Sequence, residues 1–220
     1  MGDSRSLMSA SLYPRHLLFL PGALGNGDFW EPLTRELPNR AEKILMSYPG
    51  FGGATAEPSV SCFNDLVDHI EGRIDHRTAL IAQSMGGALA LEATLRKRTP
   101  ITHLVLIATT GGLDTATLGA ADWRPNFKKD NPDLPEWFTS YRSDLTSRLK
   151  DIEIPVLLIW GDCDPLSPVA VGQTLLDHFP SAELHIIPGG QHDVARTHAP
   201  SIAPLIEAHL QNRGMIRSRR

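Results

Sequence analysis

A chain of 220 residues that is 41% apolar and 21% charged has the material for one substantial core, and its composition excludes a disordered or fibrous protein. A formal net charge of −4 gives no electrostatic reason to expect nucleic acid or an anionic membrane as a partner; the one basic cluster, Arg213, Arg217, Arg219 and Arg220, lies in a C-terminal tail, 212–220, that reads as solvated chain. Two cysteines, Cys62 and Cys163, are too few for a disulfide framework, no apolar run reaches the roughly 18 residues of a bilayer span, and no secretory apolar core is visible, so the expectation is one cytoplasmic domain over 1–220.

The first apolar run, His16 to Leu20, reads as a buried strand and opens directly into Pro21-Gly22-Ala23-Leu24-Gly25, followed by helical spacing from Phe29 to Leu37. A second strand, Lys43 to Ser47, ends in the turn Tyr48-Pro49-Gly50-Phe51-Gly52, and a helix is expected over Cys62 to Ile74. The third strand, Thr78 to Ala82, runs through Gln83-Ser84-Met85-Gly86-Gly87 into a helix reaching Lys97. A fourth strand covers His103 to Ala108. The interval from Gly111 to Asp151 is too long for a simple connection, so an insertion is expected, a short helical lid over about 112–150 with one helix from Pro135 to Lys150. The fifth strand, Val156 to Trp160, ends in Gly161-Asp162-Cys163-Asp164-Pro165 before a helix over Val169 to Phe179. The sixth, Leu184 to Ile187, ends in Pro188-Gly189-Gly190-Gln191-His192-Asp193 before a helix over Ala199 to Gln211.

Strands apolar on both faces and alternating with helices predict an α/β fold, a doubly wound, mostly parallel six-stranded sheet covered on both sides. Reacting groups in such sheets collect beyond the C-terminal strand ends, which is where Ser84, Asp164 and His192 fall. A serine hydroxyl needs a base to become a nucleophile, and the base needs an acid to fix its tautomer.

The Ala82-Gln83-Ser84-Met85-Gly86 stretch resembles the G-x-S-x-G nucleophile elbow of the α/β-hydrolase superfamily, with Ala82 in place of the first glycine. The Pro21-Gly22 loop is similar to that superfamily's H-G-x oxyanion loop with proline for histidine, and the Gly161–Asp164 and Gly190–His192 stretches resemble its acid and histidine loops. The resemblance implies Ser84 as nucleophile, Asp164 as acid and His192 as base, with the Ala23 and Met85 N–H groups as oxyanion donors. Leu24 is the reserve donor, Asp162 the second candidate acid, and Asp193 a loop carboxylate. Leu24, Gln83, Phe51, Trp123 and Trp137 are expected to contact substrate. No cofactor and no metal are implied.

The same resemblance implies a serine esterase acting on a carboxylic ester or thioester of a small to medium acyl group. The chain looks loosely similar to pimeloyl-carrier-protein methyl esterases, which makes an acyl carrier protein a candidate partner, although Asp114 to Lys150 holds six basic and six acidic residues and so no net patch. Two alternatives stand beside this reading: a carbon–carbon hydrolase or lyase using the same triad, and a small-molecule binding module without turnover.

Overall fold

The computed structural model describes residues 13–110, 112, 113 and 115–211; the basic tail 212–220 and the residue at which the expected insertion begins its acidic count, Asp114, lie outside these. The apolar runs form β1 (His16–Leu20), β2 (Glu42–Leu45), β3 (Thr78–Gln83), β4 (Ile101–Ile107), β5 (Val156–Gly161) and β6 (Ala182–Ile187). They make a single six-stranded sheet in the order β2-β1-β3-β4-β5-β6, and every neighbouring pair is parallel, where the sequence suggested a mostly parallel one.

Alternation along the strands separates two cores. Leu18 and Leu20 of β1, Leu80 and Ala82 of β3, Leu104 and Leu106 of β4, and Leu158 and Trp160 of β5 face one side. Leu17, Phe19, Ala79, Ile81, Val105, Ile107, Leu157 and Ile159 face the other. Each face must be covered by an apolar helix stripe, because an uncovered face would leave its leucines in water. In chain order the helices outside the β4–β5 connection are α1 (Glu31–Glu36), α2 (Phe63–Glu71), α3 (Met85–Arg96), α6 (Val169–His178), α7 (Val194–Thr197) and α8 (Ala199–Gln211). The first face is covered by α2, α3 and α6 through residues such as Leu66, Ile70, Leu89 and Leu175. The second is covered by α1, α7 and α8 through Leu33, Val194, Ile202 and Ile206. No helix among the described residues is long and apolar enough to cross a membrane.

The connection between β4 and β5 differs from the single helix expected over Pro135 to Lys150. It contains α4 (Arg124–Asp130), α5 (Glu136–Ser140) and two short 3-10 helices, Ala116–Leu118 and Thr146–Asp151. The chain leaves α5 extended at Tyr141, with φ −57° and ψ 133°. Two contacts favour this break: the Tyr141 ring stacks on Phe63 at 3.6 Å, and the Leu145 N–H donates to the Gly112 carbonyl at 2.9 Å. The Ser-Asp content of the stretch adds to it, since the Asp144 Oδ1 takes the Thr146 N–H at 3.0 Å and so replaces a helical partner. α4, which the loop-like composition concealed, begins where Asp122 Oδ1 accepts the Arg124 N–H and Pro125 occupies the first turn.

The chain runs outward from β1 to β2 and then returns to β3 on the other side of β1, so the loops after β1 and β3 diverge at a switch point of the sheet. Leu20 pairs with Ala82, which brings the ends of these two strands level.

Candidate active site

Ser84 sits between the end of β3 and the start of α3 with φ 53° and ψ −122°, a conformation costly for a residue with a Cβ. The surroundings hold it there from both sides. Its N–H donates to the Ile107 carbonyl at 3.0 Å, and its own carbonyl accepts from the Gly87 N–H at 3.0 Å and from the Thr109 hydroxyl at 2.6 Å. Gly86 is required by close approach, since a Cβ there would collide with the Leu20 and Pro21 carbonyl oxygens. Gly22 serves the facing loop, where a Cβ would stand 3.1 Å from the Ser84 Cβ. Ala82, the departure from the elbow pattern, is fully buried inside β3 and its methyl packs in the first core.

His192 reaches the serine from the loop after β6. Its Nε2 lies 2.9 Å from Ser84 Oγ, and its Nδ1 lies 2.8 Å from Asp164 Oδ2. A carboxylate only accepts, so the Nδ1 carries the proton and Nε2 is free to accept from the serine hydroxyl. The Asp164 side chain is fully shielded from solvent, and its second oxygen, Oδ1, accepts the N–H groups of Leu166 at 2.8 Å and Ser167 at 3.1 Å. Three donors therefore hold the buried charge, which such a charge needs in order to persist.

Asp162, the second candidate acid, is exposed, and its Oδ1 accepts the Gly189 N–H at 2.7 Å. It ties the acid loop to the histidine loop, as does the Cys163 N–H donating to the Gly190 carbonyl at 2.9 Å. Asp193 occupies the N-cap position of α7, where its backbone carbonyl accepts from Arg196 and Thr197.

Four residues that sequence reasoning passed over tie these loops together. The buried Trp160 indole donates to Ser167 Oγ at 3.1 Å, and that hydroxyl donates to the Thr109 carbonyl at 3.1 Å. Since Thr109 also bonds Ser84 and Ser167 also bonds Asp164, the Ser84 and Asp164 loops share one buried network. Tyr48 performs the corresponding task for the loop after β1, its buried hydroxyl donating to the Pro21 carbonyl at 2.8 Å. Burial pushes that phenol well above its usual pKa, so it stays a donor. Tyr48 was visible in the turn after the second strand, but nothing in the sequence marked its hydroxyl.

Met85 opens α3, so its N–H belongs to the first turn, which has no intrahelical acceptor, and the helix dipole favours negative charge there. Ala23 follows Gly22 in the loop packed against the elbow.

A cavity of about 670 Å³ opens over Ser84 and His192. Met85, Ala88 and Leu166 contribute to its wall from the sheet side, and Leu113, Trp123 and Phe138 from the β4–β5 connection. Of the five residues expected at substrate, Trp123 lines this cavity. Gln83 is buried and gives its amide to the His192 carbonyl at 3.0 Å, so it holds the histidine loop. Phe51 is fully buried, with Trp137 at 5.8 Å and Phe138 at 5.0 Å edge-on to it; neither Phe51 nor Trp137 is among the cavity residues. Leu24 stands 58% exposed beside the loop after β1. Among the described residues the metal-compatible grouping is His16, Asp75 and His76, which lies at the opposite, N-terminal ends of β1 and β3.

A family model described as alpha/beta hydrolase fold matches residues 15–150. A poly(3-hydroxyalkanoate) depolymerase of Ectopseudomonas oleovorans is 41% identical over 242 residues, covering 89% of this chain and 84% of that protein. A pimeloyl-[acyl-carrier protein] methyl ester esterase of Nitrosomonas europaea is 22% identical over 222 residues, covering 80% and 88%. The match to the first of the curated relatives spans 27% of that protein's length. Among solved structures, a thermophilic esterase from Thermogutta terrifontis superposes with a TM-score of 0.74 at 18% identity, over 90% of each chain. The family model and these likenesses agree with the sheet and the site: the chain belongs to the α/β-hydrolase family.

Proposed function

We propose that the protein cleaves carboxylic esters or thioesters of small to medium acyl groups through an acyl-enzyme on Ser84. The single observation that carries this reading is the continuous hydrogen-bonded line from Ser84 Oγ through His192 to the enclosed Asp164 carboxylate. In the first half-reaction Ser84 Oγ attacks the carbonyl carbon while His192 Nε2 takes its proton. The resulting oxyanion is held by the Ala23 and Met85 N–H groups, and the C–O or C–S bond breaks as His192 passes its proton to the leaving group. Water repeats the sequence: His192 takes its proton, the hydroxide adds to the acyl carbon, and Ser84 leaves reprotonated. Asp164 stays ionised, fixing the tautomer and stabilising the imidazolium.

The β4–β5 connection acts as the lid of the site, with Trp123 and Phe138 over the acyl chain. A leaving group carried on a protein is compatible with this arrangement, and the support for it is the likeness to the Nitrosomonas methyl ester esterase, which acts on an acyl-carrier-protein substrate. Turnover of p-nitrophenyl esters of graded chain length tests the proposal. Ser84→Ala is expected to lose about a millionfold in kcat, as serine removal does in other triads. Undiminished turnover by that variant would refute it.

A further inference from the structure

The wall of the cavity mixes apolar with polar and charged side chains, and a guanidinium partly buried in it is costly unless something answers its charge. Arg124, the first residue of α4, stands there with its Cζ 5.2 Å from the centre of the Trp123 ring. Among the described residues its Nε is buried without a hydrogen-bond partner, and its Nη1 is paired with Asp122 Oδ1 at 3.5 Å. The protein itself therefore leaves this cation under-answered, while the side chain keeps 31% of its surface open. Arg142 lines the same cavity and is held in place by its Nη1, which donates to the Thr139 and Tyr141 carbonyls at 2.9 Å each.

Two cations on one wall repel unless an anion comes between them. Burial first, and then the charge of Arg142, lower the Arg124 pKa against the opposing pull of Asp122. The other charged or titratable groups at the cavity are Asp122, Asp144, Tyr141 and His192; burial raises the Tyr141 phenol above its usual range, so it stays neutral. Asp144 already accepts the Thr146 N–H, and His192 belongs to the relay.

We propose that the acyl group taken into this cavity ends in a carboxylate bound by the open Nη groups of Arg124, with Arg142 adding to the attraction, so that the preferred substrates are monoesters or monothioesters of dicarboxylic acids. The inference rests on the reading of Ser84 as the nucleophile. The planar guanidinium fork matches a carboxylate, and Leu113, Phe138 and Leu166 offer apolar wall for the methylenes between the two ends. A single negative charge fits better than a phosphate dianion, because Asp122 and Asp144 stand on the same cavity and repel each added charge.

The test compares p-nitrophenyl monoesters of glutaric, adipic and suberic acids with the same esters capped as neutral methyl esters. The readout is the ratio of kcat/KM for the anionic member to that for the neutral one. The wild type is expected to favour the anionic ester at one or more lengths, and Arg124→Gln to lower the ratio by about tenfold to a hundredfold, mainly through KM, as expected for loss of a charged hydrogen bond. Arg124→Lys should fall between, and Arg142→Gln should cost less and do so only at low salt. A ratio that never exceeds one in the wild type, or that Arg124→Gln leaves unchanged, overturns the proposal. Binding of monomethyl adipate to Ser84→Ala, followed by tryptophan fluorescence, needs no turnover. Its loss in Ser84→Ala/Arg124→Gln supports the carboxylate site even if no ester is hydrolysed, in which case the hydrolase reading alone fails. Absence of binding, insensitivity to Arg124→Gln, or tighter binding of a phosphate monoester counts against the proposal.

Discussion

Asp164→Asn separates the proposed orienting role of the carboxylate from its role in folding. Asp164 Oδ1 accepts two backbone N–H groups, from Leu166 and Ser167, while Oδ2 accepts the His192 Nδ1–H. An asparagine in this shape has one way to keep both backbone bonds: its carbonyl oxygen takes the Oδ1 position and its NH2 faces His192. The flipped rotamer would aim an NH2 at two buried N–H donors, giving up two bonds at about 1 kcal/mol each and adding like-dipole repulsion. The favoured amide then donates to Nδ1, which must accept, so the histidine proton moves to Nε2. That nitrogen can no longer take the serine proton. A fall in kcat/KM of about ten thousandfold is expected, with thermal stability close to wild type because the loop's backbone bonds survive. Ester kinetics measure the first, a thermal melt the second, and the imidazole 15N shifts report the tautomer. A loss under tenfold with the histidine shifted to the Nε2–H form would refute the reasoning.

The buried network predicts that Ser167→Ala lowers unfolding free energy by about 2 kcal/mol, since it strands the enclosed Trp160 indole N–H and removes the hydroxyl's bond to the Thr109 carbonyl; a urea midpoint equal to wild type would contradict it. His209 supplies a pH prediction. It lies 3% exposed, its Nε2 has no hydrogen-bond partner among the described residues, its ring packs edge-on to His103 at 5.4 Å, and Glu183 Oε1 stands 3.7 Å from its Nδ1. Burial above all, and then His103, bring its pKa down from 6.5 to about 4. The fold thus prefers the neutral ring while the unfolded chain takes a proton below pH 6.5, so stability is full above that value and declines as pH falls toward 4. The decline attributable to this group is at most about 3 kcal/mol. Urea midpoints measured across this window should flatten in His209→Leu, and an unchanged slope would show that other groups govern it.

The parallel sheet was readable from sequence because its four inner strands are apolar on both faces and its strands alternate with helices. The boundaries of β1 coincide with expectation, and those of β3 and β5 extend one residue further. That Ser84, Asp164 and His192 would stand together was legible for a related reason: each lies within five residues of the C-terminal end of a strand in one parallel sheet. Between β4 and β5 the reasoning failed, because there the chain follows contacts distant in sequence. Tyr141 leaves the helix to stack on Phe63, and Leu145 bonds Gly112. Local propensity carries no trace of either. Thr109, Ser167 and Tyr48 were hidden for a related reason, since a hydroxyl's importance depends on which carbonyl the fold brings to it. Phe51 and Gln83, aromatic and amide beside the expected site, turn inward and are used for packing and for holding the histidine loop.

Mass spectrometry of the intact protein and its peptides after treatment with a fluorophosphonate probes the relay most directly. One adduct is expected, on the peptide bearing Ser84, formed rapidly in the wild type and at least about a thousandfold more slowly in His192→Ala. Labelling at another serine, or equal labelling of Ser84 without His192, would mean that the hydroxyl, imidazole and carboxylate do not work as one unit.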